Sequence, residues 1–248
     1  MPLSGLEDCS RFKLIGRDAA SLLRRGFRHR AEGDLSLAAA VGQLLTASPL
    51  LVHYDMMGLS PKASLALRNA FCRGMEVWSA ATEGRFVLRE QGNHAHNLRV
   101  SLFDEESHDS PPGIASSRYG RRVIQARSRT IVLQIDAGIR LSRQFVEANW
   151  QDHEHMLALC LHEMGHVAGL GDGSPDGVMA AALSARPEWP SEDEVQAISL
   201  IFGACDHLEG RRLADTGLSA AGGVWPCRGF EVETAEAAVS TGTRKEAA

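Results

Sequence analysis

Residues 162–172 read His-Glu-Met-Gly-His-Val-Ala-Gly-Leu-Gly-Asp, and their types and spacing fit metal-assisted hydrolysis. On a helix, His162 and His166 lie four apart, on one face and about one turn from each other. Two imidazoles so placed can grip one zinc ion. Glu163, on the adjacent strip of helix, reaches the fourth coordination position, where a water would sit. Gly169 lets the chain leave the helix with positive φ. That turn can bring Asp172 back toward the same ion as a third ligand. An amphipathic helix carrying two solvated histidines would leave the positions of Gly169 and Asp172 unexplained. Two histidines and one carboxylate form an established catalytic ligand set. The aspartate is shorter than a third imidazole, and it cancels one of zinc's two positive charges. A weaker Lewis acid is therefore expected than with three neutral imidazoles.

On these residues the chain resembles the metzincin zinc proteases, nearest the matrixin-like kind. Their motif runs HExxHxxGxxH or, in a minority such as the snapalysins, HExxHxxGxxD. Residues 177–180, Gly-Val-Met-Ala, follow soon after. Metzincins carry a tight turn there, and the resemblance implies that the Met179 side chain forms an apolar floor beneath the metal. It further implies an α+β zincin fold: a twisted mixed sheet of four to five strands packed on a long helix and the active-site helix. The implied activity is a zinc endopeptidase acting on protein or peptide, with Glu163 as general base. A tyrosine that assists the metal in some members is missing, since Ala180, Ala181 and Ala182 follow Met179. Glu188, Glu192 or Glu194 would supply the third ligand in a gluzincin-like alternative, although Ser191–Glu194 look occupied with helix capping. A metal-stabilised binding protein on an inactive protease scaffold is a second alternative. It gives the intact Glu163 no task.

Composition bounds the remaining classes. At 248 residues the chain can bury a full core. A net charge of −5 argues against nucleic acid as the main partner. No stretch of 18 apolar residues occurs, so no membrane span is expected. The first 30 residues lack the apolar core of a signal peptide, which points to the cytoplasm, whereas the resemblance favours secretion. A monomer is expected. Five cysteines are odd in number and widely spread. Cys72 and Cys160 read as buried small hydrophobes. Nothing in the spacing demands that Cys205 and Cys227 pair. Cys9 lacks the docking sequence that a thiolate switch on zinc would need.

The elements that must position the site follow from periodicity. Residues 1–48 read as an N-terminal helical hairpin, accessory or pro-like, with Gly33 between its two apolar stripes. Residues 49–208 read as the catalytic domain and 209–248 as a partly disordered tail. Leu50–Tyr54 is a candidate first strand. Ser60-Pro61 opens a long helix along which Leu65, Ala66, Phe71, Met75 and Trp78 recur. Phe86–Leu88 and Leu98–Leu102 are expected strands joined by a turn at Gly92–His94. Residues 104–120 are expected as loop. Val123–Ala126 or Thr130–Ile135 is expected to supply the exposed edge to which an extended substrate adds. Asp152 caps an active-site helix over about 153–168, with His153 and His155 as surface residues. Leu183–Trp189 is expected to wall the pocket for the residue after the cleaved bond. Ser191–Glu194 form a capping box on a last helix that Gly203 is expected to end. His94, His96 and His108 with Asp104 and Asp109 read as exposed loop residues rather than a second cation site. A calcium ion has no ligand set in the sequence to support it.

Overall fold

The structure, a computed structural model, describes residues 14–91, 96–105, 113–125, 131–173, 177–180 and 187–210. Two antiparallel-packed helices come first, α1 (Arg17–Ala31) and α2 (Leu35–Leu45). They are followed by β1 (Leu50–Asp55), α3 (Pro61–Ala81), β2 (Leu88–Glu90), β3 (Leu98–Phe103) and β4 (Ala115–Arg118). The chain then forms β5 (Arg121–Gln125), β6 (Ile131–Ile135), β7 (Ala137–Ser142), α4 (Arg143–Asn149), α5 (His153–Ala168) and α6 (Glu192–Leu208). The architecture is α+β, as expected.

Among the described residues the main sheet has five strands in the order β2-β1-β3-β7-β4. The first four run parallel, and β4 closes the edge antiparallel to β7 with Ser117 opposite Ile139. Because β2 and β3 flank β1, they are not the two arms of a hairpin. The expected turn at residues 92–94 lies outside the described residues. Inward side chains alternate along the strands, as Leu50 and Val52, Leu98 and Val100, and Ile139 and Leu141. They pack against Leu67, Phe71 and Trp78 of α3 and Leu159 and Met164 of α5 in one core. Trp78 is fully buried there and donates its indole N–H to Leu161 O at 3.0 Å. Leu65 breaks the expected stripe: it is an exposed residue of α3.

A second core joins α1, α2, α6 and the β5–β6 hairpin around Leu23, Val41, Leu44, Ile201 and Leu208. Cys205 sits in this core as a free thiol, Cys160 is a free buried thiol in the first core, and Cys72 is only half-buried. Arg121, at the start of β5, is buried between the two cores. Its guanidinium donates to Leu44 O, Leu45 O and Val167 O, the last carbonyls of α2 and α5. A cation between two helix C-termini meets the negative end of both dipoles.

Several expectations change. The segment expected as loop contains β4, whose Ala-Ser-Ser-Arg sequence gives little apolar alternation. Val123 and Leu133 pair with each other in the separate β5–β6 sheet, so neither run is the free edge of the main sheet. Gly203 does not end the last helix. It lies inside α6 on open space, and the chain turns only at Gly210, with φ +75°. No helix among the described residues is long and apolar enough to cross a membrane.

Candidate metal centre

The helix that carries the motif is specified locally. Asp152 caps α5 by accepting from His155 N at 3.1 Å. Gly169 ends it with φ 104°, a left-handed conformation that an L side chain would strain. Its N–H returns to His166 O at 3.0 Å. The chain therefore leaves the helix immediately below the second histidine and doubles back through Leu170 and Gly171 to Asp172.

The three expected ligands converge. The imidazole rings of His162 and His166 stand at 88° with centroids 4.7 Å apart. Their Nε2 atoms are 3.1 Å apart, and Asp172 Oδ1 is 3.4 Å from each. Among the described residues this is the one cluster of three side chains able to hold a metal ion.

The outer nitrogens decide what occupies the middle. His162 Nδ1 is 2.8 Å from Val178 O, and His166 Nδ1 is 3.0 Å from Leu170 O. A carbonyl oxygen carries no proton, so each Nδ1 must be the donor. A ring held this way turns a bare Nε2 lone pair inward when it is neutral. Two lone pairs and a carboxylate oxygen facing one another repel unless a cation or a shared proton lies between them. Burial, and after it the neighbouring His166, pushes His162 below its ordinary pKa. That favours the neutral, ligating form. The donor set therefore fits a divalent metal ion, and its outer partners are the kind that fix tautomer and ring orientation.

Glu163 is 4% exposed and faces the same cleft. Its Oε2 is buried with no hydrogen-bond partner among the described residues. Burial pushes its carboxyl up to about 7, a hydrogen bond from Ser117 pulls it down, and the Asp172 charge adds to the rise. Ser117 belongs to β4, so the edge strand reaches the carboxylate directly. The cleft holds about 1330 Å³. Its lining includes Ala115–Ser117 of β4, Tyr119, and Ile15–Ala19 from the N-terminal segment. His155, expected as a surface residue, is half-buried, lines this cleft and packs edge-on against Phe145.

Met179 follows the ligand loop and packs against the helix that carries the histidines. It is fully buried against Gly165, the residue preceding His166. A methyl group on Gly165 would overlap the Met179 sulfur and come within 3.2 Å of Trp78. The motif spacing does not specify a glycine at 165; its need comes from the packing of Met179. The turn bearing Met179 is held by Glu194, which is completely buried. Val178 N and Met179 N donate to its two carboxylate oxygens at 3.2 and 2.7 Å. Ser191 N donates to Oε2 at 2.7 Å, completing the capping box. The capping pair was legible in the sequence, but its reach to the turn that orients His162 was not.

These contacts lend the gluzincin-like alternative no support. Both oxygens of Glu194 are engaged by backbone donors, and neither Glu188 nor Glu192 joins the ligand cluster. Of the other histidines, His96 stacks on His53 at 4.9 Å. His94, His108 and Asp109 lie outside the described residues, as do Cys9, Cys227 and residues 183–186 of the expected pocket wall. No protein-family model matches the chain and no curated protein matches it, so its function has to be read from this site.

Proposed function

We propose that the chain is a zinc-dependent endopeptidase of metzincin-like fold, with His162, His166 and Asp172 as ligands and Glu163 as general base. One observation carries this reading. Three potential ligand atoms, two imidazole nitrogens and a carboxylate oxygen, converge at 3.1 to 3.4 Å beside a buried carboxylate whose free oxygen has no structural partner among the described residues. Ligands about 2.0 to 2.1 Å from a tetrahedral zinc lie about 3.3 Å from one another, which favours this ion. An inactive scaffold would have no use for Glu163, since an unpaired buried carboxylate only costs stability.

Zinc at such a site supplies a water of lowered pKa and polarises the scissile carbonyl. The rest is work for this chain's residues. Val178 O and Leu170 O hold the two imidazoles in the tautomer that ligates. Asp172 completes the set and leaves one side open to the cleft. Glu163, buried beside the ligands and facing the cleft, is placed to take a proton from the attacking water and deliver it to the leaving amine. Ser117 orients that carboxylate from β4. The outer edge of β4 carries no strand partner among the described residues, and β4 lines the cleft. An extended peptide can add there as a further strand, with backbone groups supplying affinity. An open cleft with a strand-like wall suits cleavage within a chain.

The test combines zinc quantification with peptide digestion, before and after chelation and zinc readdition. Glu163→Ala should keep its zinc and lose at least about a hundredfold in turnover. A purified Glu163→Ala protein that cuts peptides at the wild-type rate would sink the assignment.

A further inference from the structure

Asp172 is the exposed member of the ligand set. Its side chain is 60% exposed. Apart from the two imidazoles, no ion pair or hydrogen bond holds it among the described residues. Its position must come from the backbone of residues 169–173. That backbone is clamped by a segment ahead of the first helix. Ile15 and Leu170 form an antiparallel β-bridge. Gly16 N donates to Gly169 O at 2.8 Å, and Gly171 N donates to Leu14 O at 2.8 Å. On the far side of the ligand, Gly173 N donates to Met179 O at 3.1 Å. The bridged residue, Leu170, also presents the carbonyl that accepts from His166 Nδ1. One short bridge thus touches the supports of two ligands.

The approach is too close for a side chain. A Cβ on Gly16 would lie 2.9 Å from Leu170 O and 3.1 Å from Gly169 O. The neighbours in the way are backbone, which cannot swing aside. The arm is itself anchored. It runs into α1, whose Ala19 and Leu23 are buried in the second core against α2 and α6. The rigid hairpin therefore holds the arm, and the arm holds the ligand loop.

We propose that Leu14–Gly16 is a built-in part of the metal site, and that Gly16 is a positioning residue acting through the loop that carries Asp172. The N-terminal hairpin is then a structural support of the catalytic centre rather than a removable cover. This rests on the metal reading above. Support around metal ligands is typically worth about ten- to a hundredfold in affinity. Gly16→Ala should weaken zinc binding by a factor in that range, measured by competition with a chromophoric chelator. The cobalt-substituted variant should show a changed d–d spectrum.

A double-mutant cycle with Asp172→Ala separates positioning from general damage. If the arm acts through Asp172, the Gly16→Ala loss should shrink in the Asp172→Ala background to the part carried by the Leu170 carbonyl behind His166. A second variant lacking residues 1–15 removes the bridge while leaving α1 intact, and should weaken zinc binding in the same range. Zinc affinity unchanged in both arm variants overturns the proposal alone. So does an equal loss with and without Asp172. Wild-type protein that takes up no zinc overturns the metal reading and this inference together.

Discussion

Replacing Glu163 by glutamine in the metal-free protein should stabilise it, and the gain should depend on pH in a defined direction. The native carboxyl is raised from its ordinary 4.5 to about 7, chiefly by burial. The folded state therefore holds this proton more tightly than the unfolded chain. Stability from this group is fully present below 4.5, declines as pH rises, and is lost once pH passes about 7. At about 1.4 kcal/mol per pH unit, the interval between the two values amounts to roughly 3 kcal/mol. Roughly 2 to 3 kcal/mol of this falls between pH 5 and pH 8. Glutamine keeps the shape and cannot ionise. Urea unfolding of chelator-treated wild type and Glu163→Gln at both pH values isolates the term, because other titrations cancel in the difference. The variant should gain roughly 2 to 3 kcal/mol on wild type between pH 5 and pH 8. A stability difference that does not change with pH, or one that moves against the variant at pH 8, would refute the claim that Glu163 is a buried, under-satisfied acid.

Two further outcomes test the supports of the site. Glu194→Ala removes the acceptor for Val178 N, Met179 N and Ser191 N. It should cost about 2 to 4 kcal/mol in urea unfolding and lower zinc affinity about tenfold or more, since the Val178 carbonyl that orients His162 is released. A variant with wild-type zinc affinity would show that the turn holds His162 without Glu194. Gly165→Ala places a methyl against the Met179 sulfur and should cost about 1 to 3 kcal/mol by thermal unfolding. The combination Gly165→Ala with Met179→Ala should recover part of that loss. No recovery would mean that Met179 is not the obstructing group.

The residues of the chemistry were legible because the helix period alone relates them. His162, Glu163 and His166 need only α5 to share a site, and Asp152, Gly169 and Ser191 mark helix ends by local hydrogen bonds. The outer supports were not legible in the same way. Glu194 was readable as a cap, but its second role needs a turn from another part of the chain to arrive above it. Ser117 lies on a strand without apolar alternation. Its place is set by pairing with β7, and backbone pairing leaves no mark on side-chain order.

By itself the sequence determined a helix that puts two imidazoles and a carboxylate on adjacent strips, a left-handed exit at Gly169, and a carboxylate three residues further on. Only the tertiary structure decided that Asp172 turns back to the imidazoles and that Glu163 is buried at the wall of the cleft. The same holds for the strand that borders the cleft and for Leu14–Gly16 gripping the ligand loop. The physical reason is range. Helix geometry and capping act over a few residues and are written in their types, whereas burial and interstrand bonds join segments far apart in the chain and exist only after it has folded.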